Sequence, residues 1–189
     1  MSRSAFYVSI VLMSACLAVS GSAQGEDSPL FDVPRLEDIT VDGRCADWGD
    51  GGFRVDILPD LEGKILPVDD LDVRFRLAWD ERGLLVLVTV QDDVHVEHAD
   101  ETVLYVLDSV VIFFATKRGA ADMLVTAIAP GLDPEHPKLR HYLMDRRNDE
   151  ALKQHELTIS AARAKTQTGY TLEVLLPWKN LGVKPELGR

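Results

Sequence analysis

Residues 72–90 read DVRFRLAWDERGLLVLVTV, and this stretch decides the fold. Val73, Phe75, Leu77 and Trp79 alternate with Asp72, Arg74, Arg76 and Ala78, so the four large apolar side chains share one face of an extended strand. Arg74 and Arg76 point the other way, as in an antiparallel strand with one buried face. Asp80-Glu81-Arg82-Gly83 interrupts the pattern with a polar turn ending in glycine. Residues 84–90 then run almost without a polar side chain, which fits a strand covered on both faces and central in its sheet. Together they predict a hairpin with a short loop.

The same period extends outward. Residues 110–115, 123–129 and 139–143 are short apolar runs rich in β-branched and aromatic side chains. Residues 157–166 alternate around Leu157, Ile159 and Ala161, turn at Thr168-Gly169, and return through Tyr170, Leu172, Val174 and Leu176 as a second hairpin. Helical patterning is scarce: residues 148–155 offer two turns, and residues 177–181 a single turn that starts on Pro177 and is capped by Gly182. Many short strands separated by turn signals predict an all-β protein, an antiparallel β-sandwich of immunoglobulin-like or jelly-roll-like kind with one short helix.

The chain ends are read separately. Residues 1–23 combine Arg3, an uncharged apolar run over 5–19 and the small residues Gly21-Ser22-Ala23, the pattern of a cleaved secretory signal. Its apolar run is shorter than the roughly 20 residues of a membrane span. A secreted, periplasmic or cell-surface location is expected, with no membrane span after cleavage. Residues 24–38, polar and holding Pro29 and Pro34, read as a leader lying over the surface, and residues 39–189 as the sandwich. Removal of residues 1–23 leaves 166 residues with Cys45 as the sole cysteine, so a hydrophobic core and not a disulfide must hold the fold. The net charge of −11 argues against nucleic-acid partners, which need a basic footprint. Acids concentrate at one end: residues 24–108 hold 22 acids and 7 bases, residues 109–189 hold 9 acids and 12 bases.

Four segments, in order, resemble the family 9 carbohydrate-binding modules and the wider DOMON-like group of β-sandwiches. They are residues 39–48 (ITVDGRCADW), residues 77–93 (LAWDERGLLVLVTVQDD), residues 108–114 (DSVVIFF) and residues 169–182 (GYTLEVLLPWKNLG). The resemblance implies a non-catalytic module that binds a sugar or polysaccharide end in support of glycan degradation. Its implied partner is a glycoside hydrolase or other catalytic domain. Sugars stack on aromatic faces because their C–H surfaces are apolar, while their hydroxyls need aimed polar partners. The resemblance places one such aromatic at Tyr105, three residues before Asp108. It also places an acid where this sequence has Val111, and expects further strands and a second aromatic beyond Gly182, so the chain is read as C-terminally incomplete. Trp79 and Trp48 are the other candidate sugar platforms, each weighed against plain core or rim packing.

Asp80, Asp92, Asp93 and Asp108 flank strand ends and offer the hard oxygens that a structural Ca2+ takes, against a reading as solvated acids. His95 and His98 form a His-x-x-His pair without a third ligand at fixed spacing, so exposed histidines are the default reading. An alternative function from the DOMON-like group is b-type haem binding for electron transfer, with Met123, Met144 and His141 as axial ligands. A third is a structural sandwich without ligand.

Overall fold

A computed structural model describes residues 8–11, 31–56, 67, 71–92, 94–115, 123–147 and 156–182. In chain order the strands are β1 (Val8–Val11), β2 (Phe53–Val55), β3 (Leu71–Trp79) and β4 (Gly83–Asp92), then β5 (Val110–Phe114), β6 (Leu124–Ala129), β7 (Arg140–Asp145), β8 (Ser160–Lys165) and β9 (Gly169–Pro177). A 3₁₀ segment spans Glu101–Val106, and one helical turn, α1, spans Trp178–Leu181.

Two sheets form. The larger has the order β2-β3-β4-β9-β8 and is antiparallel throughout. The smaller has the order β1-β5-β6-β7; β5, β6 and β7 are antiparallel, and β1 runs parallel to β5. β1 falls within the stretch read as an export signal, so processing after residue 23 would turn β5 into a sheet edge.

The expected hairpin is present in full register, from Leu71 opposite Asp92 to Trp79 opposite Leu84. Its turn is shaped by Asp80, whose Oδ1 accepts the Arg82 amide at 2.7 Å and whose backbone N–H donates to the Gly83 carbonyl at 3.1 Å. β4, the strand apolar on both faces, lies at the centre of the larger sheet, between β3 and β9. One face supplies the inner core: Val73, Phe75 and Leu77 of β3, Val86 and Val88 of β4, and Leu172, Val174 and Leu176 of β9 meet Val110, Ile112, Leu124 and Ile128 from the smaller sheet. A fully buried Leu172 or Leu176 is worth about 1.5–3 kcal/mol in burial alone, and this layer holds the sandwich together.

Each sheet also has an apolar outer face with a covering segment. On the larger sheet Ala78, Leu85, Leu87 and Leu175 are buried under Ile39 and Trp48. On the smaller one Val111, Val125, Ala127 and Ala129 are buried with Leu104 of the 3₁₀ segment. Both covers come from stretches without regular strand patterning. The helical turn after Pro177 is as expected: Gly182 takes the left-handed conformation (φ 64°) and its N–H donates to the Trp178 carbonyl at 2.9 Å. Three elements, β1, β2 and the 3₁₀ segment, go beyond the strands and helical turns expected. The helix expected over residues 148–155 lies outside the described residues, as does everything after Gly182.

Candidate functional site

Tyr105 stands on the 3₁₀ segment that packs over β6 and β7 of the smaller sheet. Its neighbour Leu104 is 1% exposed and anchors the segment, while Tyr105 itself is 44% exposed, a large aromatic turned to solvent. The face beneath is built in rows across the strands: Val111, Ala127 and Tyr142 are register partners, and so are Phe113, Val125 and Met144. Val111, at the position where the resemblance places an acid, is buried in this apolar layer. A carboxylate there would be desolvated, so the hydroxyl-fixing group this position implies is absent from the site.

The segment carrying Tyr105 is held at both ends. The Val96 amide donates to Asp108 Oδ2 at 2.7 Å, and the Asp108 amide donates back to the Val96 carbonyl at 3.0 Å. Glu97, whose side chain is fully buried, accepts the Gly131 and Leu132 amides at 2.7 and 2.9 Å and pairs with Arg140 at 3.2 Å. Arg140 also donates to the carbonyls of His98 and Ala99. Asp133 accepts the Glu97 and Glu135 amides at 3.0 and 2.9 Å, and these two bonds hold its carboxyl below the ordinary carboxylate range. Asp100 caps the 3₁₀ segment through the Thr102 amide, a bond that likewise lowers its carboxyl pKa. An aromatic on so fixed a base presents its face to a ligand with little ordering cost.

Trp48 is placed elsewhere, and its reading as a sugar platform is corrected. It is 2% exposed on the outer face of the larger sheet, and its indole N–H donates to Glu173 Oε1 at 2.7 Å. The other oxygen of Glu173 accepts the Asp42 and Gly43 amides at 2.8 and 2.7 Å. The Asp-Gly turn and the tryptophan six residues on are therefore both tied to one carboxylate that β9 projects outward. Burial raises the Glu173 carboxyl pKa, and the three donated bonds oppose that shift. Trp79 ends β3 with its indole N–H on the Val33 carbonyl (2.9 Å) and Arg35 over its ring at 5.8 Å, so one face is already covered. Trp48 and Tyr105 lie on opposite outer faces with both sheets between them. The three aromatics do not make one clamp.

The four candidate calcium ligands do not form one group among the described residues. Asp80 is 8% exposed and bound by Arg82, whose Nε and Nη2 reach Oδ2 at 2.9 and 2.7 Å. Asp93 lies outside the described residues. Asp92, at the end of β4, and Asp108, just before β5, come together, and the third member of their cluster is His95: one ligand atom from each lies within 4.8 Å of the others. The expectation of exposed histidines fails for His95, whose side chain is 13% exposed. The haem candidates do not converge: Met123 and Met144 pack on the outer face of the smaller sheet, whereas His141 alternates to the opposite face of β7.

The fold is a mostly antiparallel β-sandwich with an exposed, braced aromatic on the outer face of its smaller sheet. The family described as carbohydrate family 9 binding domain-like matches residues 41–189, and the chain belongs to that family. Neither the curated proteins nor the solved structures gave a match. Among the described residues no helix is long and apolar enough to cross a membrane.

Proposed function

We propose that this chain is an exported, non-catalytic carbohydrate-binding module that holds a sugar or polysaccharide end against Tyr105 and so keeps a catalytic partner on its substrate during glycan degradation. The observation that carries the reading is Tyr105 itself: a solvent-facing ring on a segment fixed by Asp108, Glu97 and Arg140, in a chain of this family. An aromatic left exposed on a rigid base, with an apolar sheet face behind it, suits the C–H face of a pyranose. With Val111 apolar, polar contacts to the sugar must come from groups around the rim of the face, which favours a ligand bound more by stacking than by a buried carboxylate. A glycan array probed with the purified protein tests the reading. Binding to a defined set of glycans is expected; an array with no signal above a denatured control would remove carbohydrate as the ligand.

A further inference from the structure

We infer that Asp92, His95 and Asp108 form a binding site for a divalent transition-metal ion of the zinc class. The inference stands on this cluster alone and is independent of the carbohydrate reading.

Two observations carry it. The first is convergence: two carboxylates and one imidazole, Asp92 and His95 three residues apart and Asp108 leading into the smaller sheet, bring one ligand atom each within 4.8 Å of the others. His95 Nδ1 lies 3.6 Å from Asp92 Oδ2, too long for a hydrogen bond and close to the separation of two ligands on one ion whose bonds are about 2.0–2.2 Å. The second is the state of the histidine. Both ring nitrogens of His95 are buried and have no hydrogen-bond partner. A buried polar atom left unpaired costs about 1–3 kcal/mol, and metal coordination is one way to satisfy it. Tyr170, itself buried, packs its ring 5.5 Å from that of His95 and so helps to hold the imidazole beside the two carboxylates.

The donor set selects the metal class. Calcium and magnesium take oxygen ligands almost exclusively, whereas one imidazole with two carboxylates suits zinc and its first-row neighbours. The structural calcium expected from the acids alone is therefore replaced by a different ion once His95 joins them. Three protein ligands leave a further coordination position. Asp92 and His95 also line a cleft of about 490 Å³ with Gln91, Lys165, Gln167 and Thr168, so a water or a small ligand can reach the ion from that side. The ion has a structural consequence as well. Asp92 belongs to the larger sheet and Asp108 leads into the smaller one, so a bound metal ties the two sheets together at the base of the segment that carries Tyr105.

The test uses the full chain stripped with a chelator and titrated calorimetrically with ZnCl2 and, separately, with CaCl2. One zinc per chain is expected, with a raised melting temperature. Loss of an outer-shell partner typically weakens metal binding about 10–100-fold, so loss of a ligand in His95→Ala or Asp92→Asn must weaken zinc at least about tenfold. Far-UV circular dichroism checks that each variant is folded. Long-range ¹H–¹⁵N NMR of the wild-type imidazoles supplies a readout that needs no variant: zinc should move the ring nitrogens of His95 and leave those of His98, His136 and His141 in place. The inference is overturned by no zinc binding, by zinc binding of equal strength in His95→Ala, by unmoved His95 resonances, or by calcium binding in preference to zinc.

Discussion

Replacing Glu173 by glutamine probes how the opening turn is fastened to the sandwich. The carboxylate receives three N–H donors, from Asp42, Gly43 and Trp48, at 2.7–2.8 Å. Hydrogen bonds to a charged group are worth about 1.5–3 kcal/mol each, while the burial that raises the Glu173 pKa offsets part of that sum. Glutamine keeps one oxygen. Whichever way its amide turns, an NH2 group then faces either the indole N–H or the two backbone N–H groups, donor against donor. One or two bonds are lost and a buried donor is left unpaired, which gives a destabilisation of about 2–4 kcal/mol. In a domain of this size that corresponds to roughly 4–16 °C in melting temperature. Urea unfolding followed by circular dichroism measures it. Trp48→Phe, which removes the indole N–H and keeps most of the ring, is measured alone and in combination. If the bond is real, the two changes are not additive and the cycle returns a coupling of at least about 0.5 kcal/mol. A Glu173→Gln loss under about 0.5 kcal/mol, or strict additivity, would refute the pinned-turn argument.

Three further outcomes are expected. Gly43 sits at φ +83°, and a Cβ there would lie 2.3 Å from the Arg163 carbonyl carbon, so Gly43→Ala should destabilise by more than the roughly 1 kcal/mol of the conformational term alone, read from the urea midpoint. Asp133, whose carboxyl pKa is lowered by the Glu97 and Glu135 amides, contributes stability that is fully present above the ordinary carboxylate pKa of about 3.9 and is lost as pH falls through its depressed folded value. The cost of Asp133→Asn, measured by urea unfolding, should therefore be largest near neutral pH and shrink as the solution is acidified below about pH 4. Mass spectrometry of protein exported from an expressing bacterium should find a chain that begins at Gln24; a mature species that retains β1 contradicts the export reading.

The hairpin of residues 72–90 was legible because side-chain period and strand geometry are the same thing: Val73, Phe75 and Leu77 alternate in sequence and therefore share a face in the sheet. The central position of β4 followed from its lack of polar residues by the same logic. The 3₁₀ segment was not legible, since Thr102-Val103-Leu104-Tyr105-Val106 has strand-like composition and its helical turn is set by the Asp100 cap and the Leu104 anchor. β2 was missed because three residues between glycines and a masking polar context carry no period. At the site, Tyr105 stood out through the resemblance, but an aromatic residue does not announce which face of a sandwich it will occupy, and of the two readings weighed for Trp48, platform or packing, the buried ring takes the second. Glu173 left a usable signal, a lone acid inside the apolar run 170–176. His95 left little: Asp92 stands three residues before it, but Asp108 is brought to the pair by its two hydrogen bonds with Val96, a contact that no sequence spacing announces.

The central claim, carbohydrate held on Tyr105, is tested most directly by calorimetric titration of wild type and Tyr105→Ala with the best oligosaccharide from the glycan array. Tyr105 is 44% exposed and Leu104, not Tyr105, anchors its segment, so the variant should keep a melting temperature close to that of the wild type. Loss of the stacking ring should cost about 1–2 kcal/mol, a weakening of at least roughly fivefold. Equal affinity for the two proteins would contradict the account.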